Sequence, residues 1–207
     1  MTLRRIVAIG ASDFCGIGDA AGQGGFIGRL KQWHEQQSDK NLLYNLGVRG
    51  ETTTQMLRRL VVESMPRKPD LLILTTGSND IRRTSSKTSP VKTPDELFAA
   101  NVTAMIKQGK ALGDVVFIGT HPFDESRTAP FAYWNDQNFY LLGDQTRREA
   151  VVAELCKQER VPYFDLFQNW LNQDYFQWLH TDGQHANTEG HELIFRQLKD
   201  FLKSLYL

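Results

Sequence analysis

Cysteine is scarce in this chain, and the two that occur, Cys15 and Cys156, fit neither a CxxC nor a CxxH spacing. That excludes a disulfide framework and a cysteine-based zinc site, and two free thiols suit a reducing compartment. Net charge is missing as well, since 24 Lys and Arg balance 24 Asp and Glu. Nucleic acid and anionic membrane surfaces both call for a basic face, so neither is expected as the main partner. No apolar run approaches the roughly 20 residues needed to span a bilayer, and no charged, then apolar, then small-residue pattern precedes the first apolar run. The expected location is cytoplasmic. Phosphate-binding loops are absent too: Gly16-Ile17-Gly18 is followed by Asp19, Ala20 and Ala21, so GxGxxG fails, and no GxxxxGK followed by Ser or Thr exists.

What remains is an ordinary globular composition, 41% hydrophobic and 23% charged over 207 residues. A chain of this length forms one domain with a core large enough to need neither metal nor disulfide. Apolar runs recur at Ile6–Ile9, Leu42–Leu46, Leu71–Thr75, Val115–Gly119 and Val161–Leu166, separated by stretches of helical spacing. This alternation predicts an α/β fold, a parallel sheet of five strands with helices on both faces.

The helices are read from their apolar stripes. Phe26, Ile27, Leu30 and Trp33 make the first, and Met56, Leu57, Leu60 and Val61 the second. Thr93 is the expected N-cap of the third, with Pro94 at its first position, Glu96 completing a capping box, and Phe98, Val102, Met105 and Ile106 on one face. A fourth helix is expected over residues 144–158. The last opens at Asn187 and runs on Ile194, Leu198, Phe201, Leu202 and Leu205. Between them, residues 121–143 are long for a connection and rich in aromatic rings, which fits either a binding loop or a satellite core.

Parallel strands deliver the turns that follow them to one edge of the sheet, where ligands bind. The first such turn carries Ser12, in Gly10-Ala11-Ser12-Asp13-Phe14. It is not the GxSxG elbow of α/β-hydrolases, because Phe14 stands where the second glycine belongs. A serine nucleophile needs a base, an orienting group for the base, and donors for an oxyanion. Asn45-Leu46-Gly47-Val48-Arg49-Gly50 after the second strand and Gly77-Ser78-Asn79-Asp80 after the third supply candidate donors: the N–H of Gly47, the amide of Asn79 and the N–H of Ser12 itself. Thr181-Asp182-Gly183-Gln184-His185 supplies the base, the three-residue offset letting Asp182 reach one ring nitrogen of His185. His180 and His191 compete, the former only two residues from Asp182 and the latter inside a helix without an acid at the matching offset. Cys15, one turn beyond Ser12, is the alternative nucleophile, read instead as a small apolar group turned toward the core.

These four blocks, in this order, resemble those of the SGNH hydrolases, the GDSL-type esterases and lipases named for Ser, Gly, Asn and His. The resemblance spans residues 6 to about 195. It implies a three-layer α/β/α, flavodoxin-like fold and metal-free, cofactor-free hydrolysis of a small-molecule ester. Carried over by position, Ser12 is the nucleophile, His185 the base, Asp182 its partner, and Ser12, Gly47 and Asn79 form the oxyanion hole. Short-chain acyl esters and acetylated carbohydrates are the expected substrates. A thioesterase, or a non-hydrolytic binding protein of the same fold, stays open. The family's first block usually reads Gly-Asp-Ser, whereas Ala11 stands here, and Ala186 follows the histidine where proline is common.

Overall fold

The computed structural model describes residues 3–206. Along the chain run β1 (Arg5–Gly10), α1 (Gly25–Gln36), β2 (Leu42–Gly47), α2 (Thr53–Ser64), β3 (Leu71–Leu74), β4 (Arg83–Thr84), α3 (Asp95–Lys110), β5 (Asp114–Ile118), α4 (Glu125–Thr128), β6 (Asn138–Phe139), α5 (Leu142–Gln158), β7 (Tyr163–Phe164), α6 (Leu166–Leu171) and α7 (Thr188–Tyr206). Five of the strands form one sheet in the order β2-β1-β3-β5-β7, with every pair parallel. β4 and β6 pair antiparallel in a separate ribbon.

A strand buried on both faces has no polar alternation, and β1 and β3 show this directly, Ile6 to Ile9 and Leu71 to Leu74 being almost wholly shielded from solvent. On one face Ile6, Ala8, Leu71 and Ile73 pack with residues of α1, α6 and α7, including Ile27, Trp170 and Leu198. On the other, Val7, Ile9, Leu72 and Leu74 meet residues of α2, α3 and α5, including Met56, Val102 and Val152. The expected three-layer arrangement is therefore present. The last strand is shorter than the apolar run suggested: Pro162 has no N–H to give the ladder, and Asp165 ends the strand by capping α6, its carboxylate accepting from the Gln168 N–H at 3.0 Å.

The start of α3 differs from the expectation. Thr93 does not cap it; the helix begins at Asp95, after Pro94 and without a side-chain cap. Thr93 is buried instead, its N–H donating to the Asp80 carbonyl at 3.0 Å, so a tertiary contact outweighs a local one. Asn187 does cap α7, accepting from the Gly190 N–H at 2.9 Å. Ile194, Leu198 and Leu202 of that helix are buried, while Leu205 lies 40% exposed beyond the core. In the aromatic stretch, Phe123, Phe131 and Tyr140 join Ile81 in a small separate core, and Tyr133 and Trp134 stay at the surface.

One buried acid sits where β5 ends. Glu149 accepts from the Thr120 N–H (3.2 Å), the Thr120 hydroxyl (2.5 Å) and the Tyr163 hydroxyl (2.8 Å). The approach is so close that a Cβ on Gly119 would meet the Tyr163 hydroxyl at 2.4 Å. Burial dominates over these donors and pushes the Glu149 carboxyl up to about 7. A carboxyl raised on folding destabilises as it ionises, so stability should fall as pH rises from the unfolded value to about 7. Glu149→Gln should flatten that slope and gain stability on the order of 3 kcal/mol above pH 8; thermal melts from pH 5 to 8.5 that leave the slope unchanged would refute the assignment.

Candidate active site

Ser12 leaves the carboxyl end of β1 in a turn held by its own backbone, the Ile17 N–H donating to the Ser12 carbonyl and the Gly16 N–H to the Asp13 carbonyl. The turn before α7 brings up Asp182 and His185. Ser12 Oγ lies 2.9 Å from His185 Nε2, and His185 Nδ1 lies 2.6 Å from Asp182 Oδ2. A carboxylate can only accept, so Nδ1 carries the proton and Nε2 is free to accept from the serine hydroxyl. The other oxygen, Oδ1, accepts from the N–H groups of Gln184 (2.9 Å) and His185 (3.0 Å). Burial pushes the Asp182 carboxyl upward, but the hydrogen bond and charge of His185 and the two backbone donors outweigh it and hold the group well below the usual carboxylate range.

The rival histidines have other work. His180 Nδ1 accepts the Asp182 N–H at 3.3 Å and so has no proton there to give the carboxylate. His191 accepts from the Phe26 N–H at Nδ1 (3.2 Å) and donates from Nε2 to the Ile17 carbonyl (2.9 Å), tying α7 to the start of α1 and to the serine turn. Cys15 is half-buried rather than in the core, its thiol 3.5 Å from the Ala11 carbonyl, and burial pushes its ionisation up.

Asn79 and Gly47 part company. Asn79 lines the same cleft as Ser12 and His185, a space of ≈ 270 Å³. Gly47 does not: its N–H donates to Asn45 Oδ1 at 3.0 Å, and a Cβ there would meet the Phe14 Cβ at 2.8 Å, so this glycine serves a close crossing of two turns. Gly50 lines the cleft in its place, in a left-handed conformation at φ 76°. Both glycines stand in the same quoted block, and nothing in residue type separates a glycine needed for packing from one that faces a ligand. Trp134, a ring of the 121–143 stretch, makes a contact of its own with the site. Its Nε1–H donates to Asp182 Oδ2 at 3.2 Å although the ring is 56% exposed. An aromatic-rich loop gives no sign of which ring will reach back.

Ala11 is buried among the residues packed on α2 and α3. The acid nearest the serine is Asp13, whose Oδ1 lies 3.4 Å from Nε2 of His121, a residue 3% exposed. The other ring nitrogen of His121 faces the Pro122 carbonyl at 3.0 Å. Both partners are acceptors, so the ring is satisfied only as an imidazolium. Burial works against this charge, but Asp13 outweighs it and the His121 ionisation is raised; burial likewise raises Asp13, and His121 outweighs that and leaves the carboxyl lowered. Among the described residues, no group of three or more His, Cys, Asp or Glu side chains is placed to hold a metal ion, and no helix is long and apolar enough to cross a membrane.

A family model described as GDSL-like lipase/acylhydrolase matches residues 8–193. Among solved structures, a lipase/acylhydrolase from Enterococcus faecalis is similar at 23% identity and TM-score 0.78, over 98% of this chain and 96% of that one. A putative acylhydrolase from Bacteroides fragilis is similar at 18% identity and TM-score 0.70, over 98% and 88%. The acetylxylan esterase Axe2 from Geobacillus stearothermophilus is similar at 15% identity and TM-score 0.71, over 96% and 94%; forms with alanine in place of a serine, an aspartate and a histidine are described as its catalytic mutants. No curated relative matches the chain.

The Asp13–His121 pair should stabilise the fold between the lowered carboxyl and the raised imidazolium titrations, and lose that effect as pH rises through the latter or falls through the former. Removing one partner of a buried pair costs about 3 kcal/mol or more. His121→Gln should therefore melt well below wild type near pH 7, with the gap narrowing as pH rises; a gap independent of pH would contradict the charged pair.

Proposed function

We propose, for a chain that belongs to the GDSL-like lipase/acylhydrolase family and is an ester-bond hydrolase, that Ser12, His185 and Asp182 carry the reaction. The single observation behind this reading is the unbroken chain of contacts at 2.9 and 2.6 Å from hydroxyl through imidazole to carboxylate. The three residue types match those replaced in the catalytic mutants of Axe2.

In this reading His185 takes the proton of Ser12 as Oγ attacks the ester carbonyl, and Asp182 stabilises the imidazolium that forms. The tetrahedral oxyanion meets the N–H of Ser12, the amide of Asn79 and the N–H of Gly50, which replaces Gly47 as third donor because it faces the cleft. Collapse expels the alcohol, which receives its proton from His185. Water then attacks the acyl-enzyme with His185 again as base, releasing the acid and restoring Ser12. The small cleft favours a short acyl group. Two free thiols, one of them fully buried, support a cytoplasmic setting.

With 4-nitrophenyl acetate the enzyme should show a burst of nitrophenolate followed by steady turnover, and Ser12→Ala should abolish both. Since Asp182 stays ionised to well below the usual carboxylate range, its protonation should add no acidic limb to kcat/KM above pH 5. Asn79→Ala should lower kcat about 10²–10³-fold with little change in KM. Steady turnover that survives Ser12→Ala would overturn the assignment.

A further inference from the structure

The cleft beside Ser12 is lined by two arginines, Arg49 and Arg82, and by no carboxylate. Each stands next to a group just assigned to the oxyanion hole. Arg49 immediately precedes Gly50, and Arg82 follows Asn79 on the same short turn, its N–H donating to the Asn79 carbonyl at 3.4 Å. The other arginines near this rim are committed: Arg83 to Asp144 at 2.7 Å, Arg127 to Asp124 at 3.2 Å and Arg148 to Asp95 at 2.8 Å. Among the described residues, neither Arg49 nor Arg82 has a carboxylate within ion-pair distance.

Arg82 is not a freely solvated surface charge. Its side chain is half-buried and lies against the Tyr140 hydroxyl on the cleft wall. A neutral hydroxyl leaves that charge uncompensated, and a guanidinium is matched best by a carboxylate or similar planar anion. Its backbone is fixed on both sides, the carbonyl accepting from the Lys92 N–H at 2.8 Å. Phe131, Trp134 and Tyr140 add aromatic walls beside Ile17, Asn138 and Gln184, and the ≈ 270 Å³ of space admits only a small molecule.

We infer that the preferred substrate is a small ester bearing a carboxylate, bound by Arg82 and Arg49 while its ester carbonyl lies over Ser12. The inference deepens the serine-esterase reading and rests on it. A carboxylate on the acyl part and one on the alcohol part satisfy the same chemistry, and the substrates distinguish them.

The test compares 4-nitrophenyl acetate, 4-nitrophenyl hemisuccinate (anion on the acyl part) and 3-carboxy-4-nitrophenyl acetate (anion on the leaving group), each corrected for its rate of hydrolysis by hydroxide. Wild type should favour one of the anionic esters over the neutral one by about tenfold or more in kcat/KM. That ratio should fall at least about fivefold in Arg82→Gln or Arg49→Gln, and fall again at high salt. Preference for the neutral ester, or ratios unchanged in both variants, would overturn the proposal. Binding of succinate to Ser12→Ala, followed by tryptophan fluorescence, reads the arginines without turnover: saturable binding weakened in the Ser12→Ala/Arg82→Gln double variant supports the anion site, and no binding refutes it. Hydrolysis that persists in Ser12→Ala instead refutes the nucleophile, so the two failures are told apart.

Discussion

Everything at the sheet edge depends on one seam, the packing of the turn after β1 against the start of α7. Ser12 and His185 are 173 positions apart in sequence, and their 2.9 Å contact exists only because these two segments are bolted together. The Ile17 carbonyl accepts from His191, and the Ala20 N–H donates to the Thr188 hydroxyl at 3.0 Å. Gly18 lies so close to the other segment that a Cβ would come within 2.1 Å of the Ala186 carbonyl oxygen. Gly18 also sits at φ 88°, so both its conformation and its neighbour require glycine. Just outside this seam, Arg29 joins Asp19 at 2.6 Å and Glu192 at 3.1 Å, bridging the same two segments through α1. A base delivered by a distant segment can be aligned with its serine to within a few tenths of an ångström only if the segments cannot slide.

Much of this was legible before any coordinates. Buried parallel strands announce themselves as short apolar runs, and β1, β2, β3 and β5 fall where such runs stand, within a residue or so at their ends. Parallel direction then forces the turns carrying Ser12, Asn79 and Gly50 onto one edge, and a three-residue offset suffices to pair Asp182 with His185. What stayed hidden turns on tertiary competition. Thr93 has the local chemistry of a helix cap, yet the Asp80 carbonyl claims its N–H, while the Asp80 carboxylate binds the Thr53 N–H at 2.9 Å and hydroxyl at 2.8 Å, so one residue gathers the starts of α2 and α3. Gly47 and Gly50 are the same residue type three positions apart, and only the crossing of Phe14 over Gly47 shows which is packed and which faces the cleft. Trp134 belongs to a loop without periodicity, so no pattern could single out its indole as a donor to Asp182.

The aromatic stretch is both things the sequence allowed. Its inward rings make a small core with Ile81, two residues after Asn79, and so brace the third-strand turn from beneath. Trp134, its ring at the surface, closes over Asp182. A loop with no buried rings would have nothing to hold the indole in register with the carboxylate.

The alanine at position 11 is explained by the side of the turn on which the anchor sits. Ala11 points into the apolar layer against α2 and α3, where Gly77 packs so closely that its Cβ would lie 2.8 Å from that of Ala11. A carboxylate there would have to be satisfied from a turn that leaves little room for it. Asp13 lies two residues on, and its partner His121 packs on Trp170 of α6 with ring centroids 5.0 Å apart. That ring belongs to the opposite layer. The acid that steadies the serine turn is thus carried on the other face, matched by an imidazolium whose second N–H goes to the Pro122 carbonyl. Because this anchor bears on the residue following Ser12 and makes no contact with the cleft, the turn is held without placing a carboxylate beside Arg49 and Arg82, whose charges remain free for a ligand.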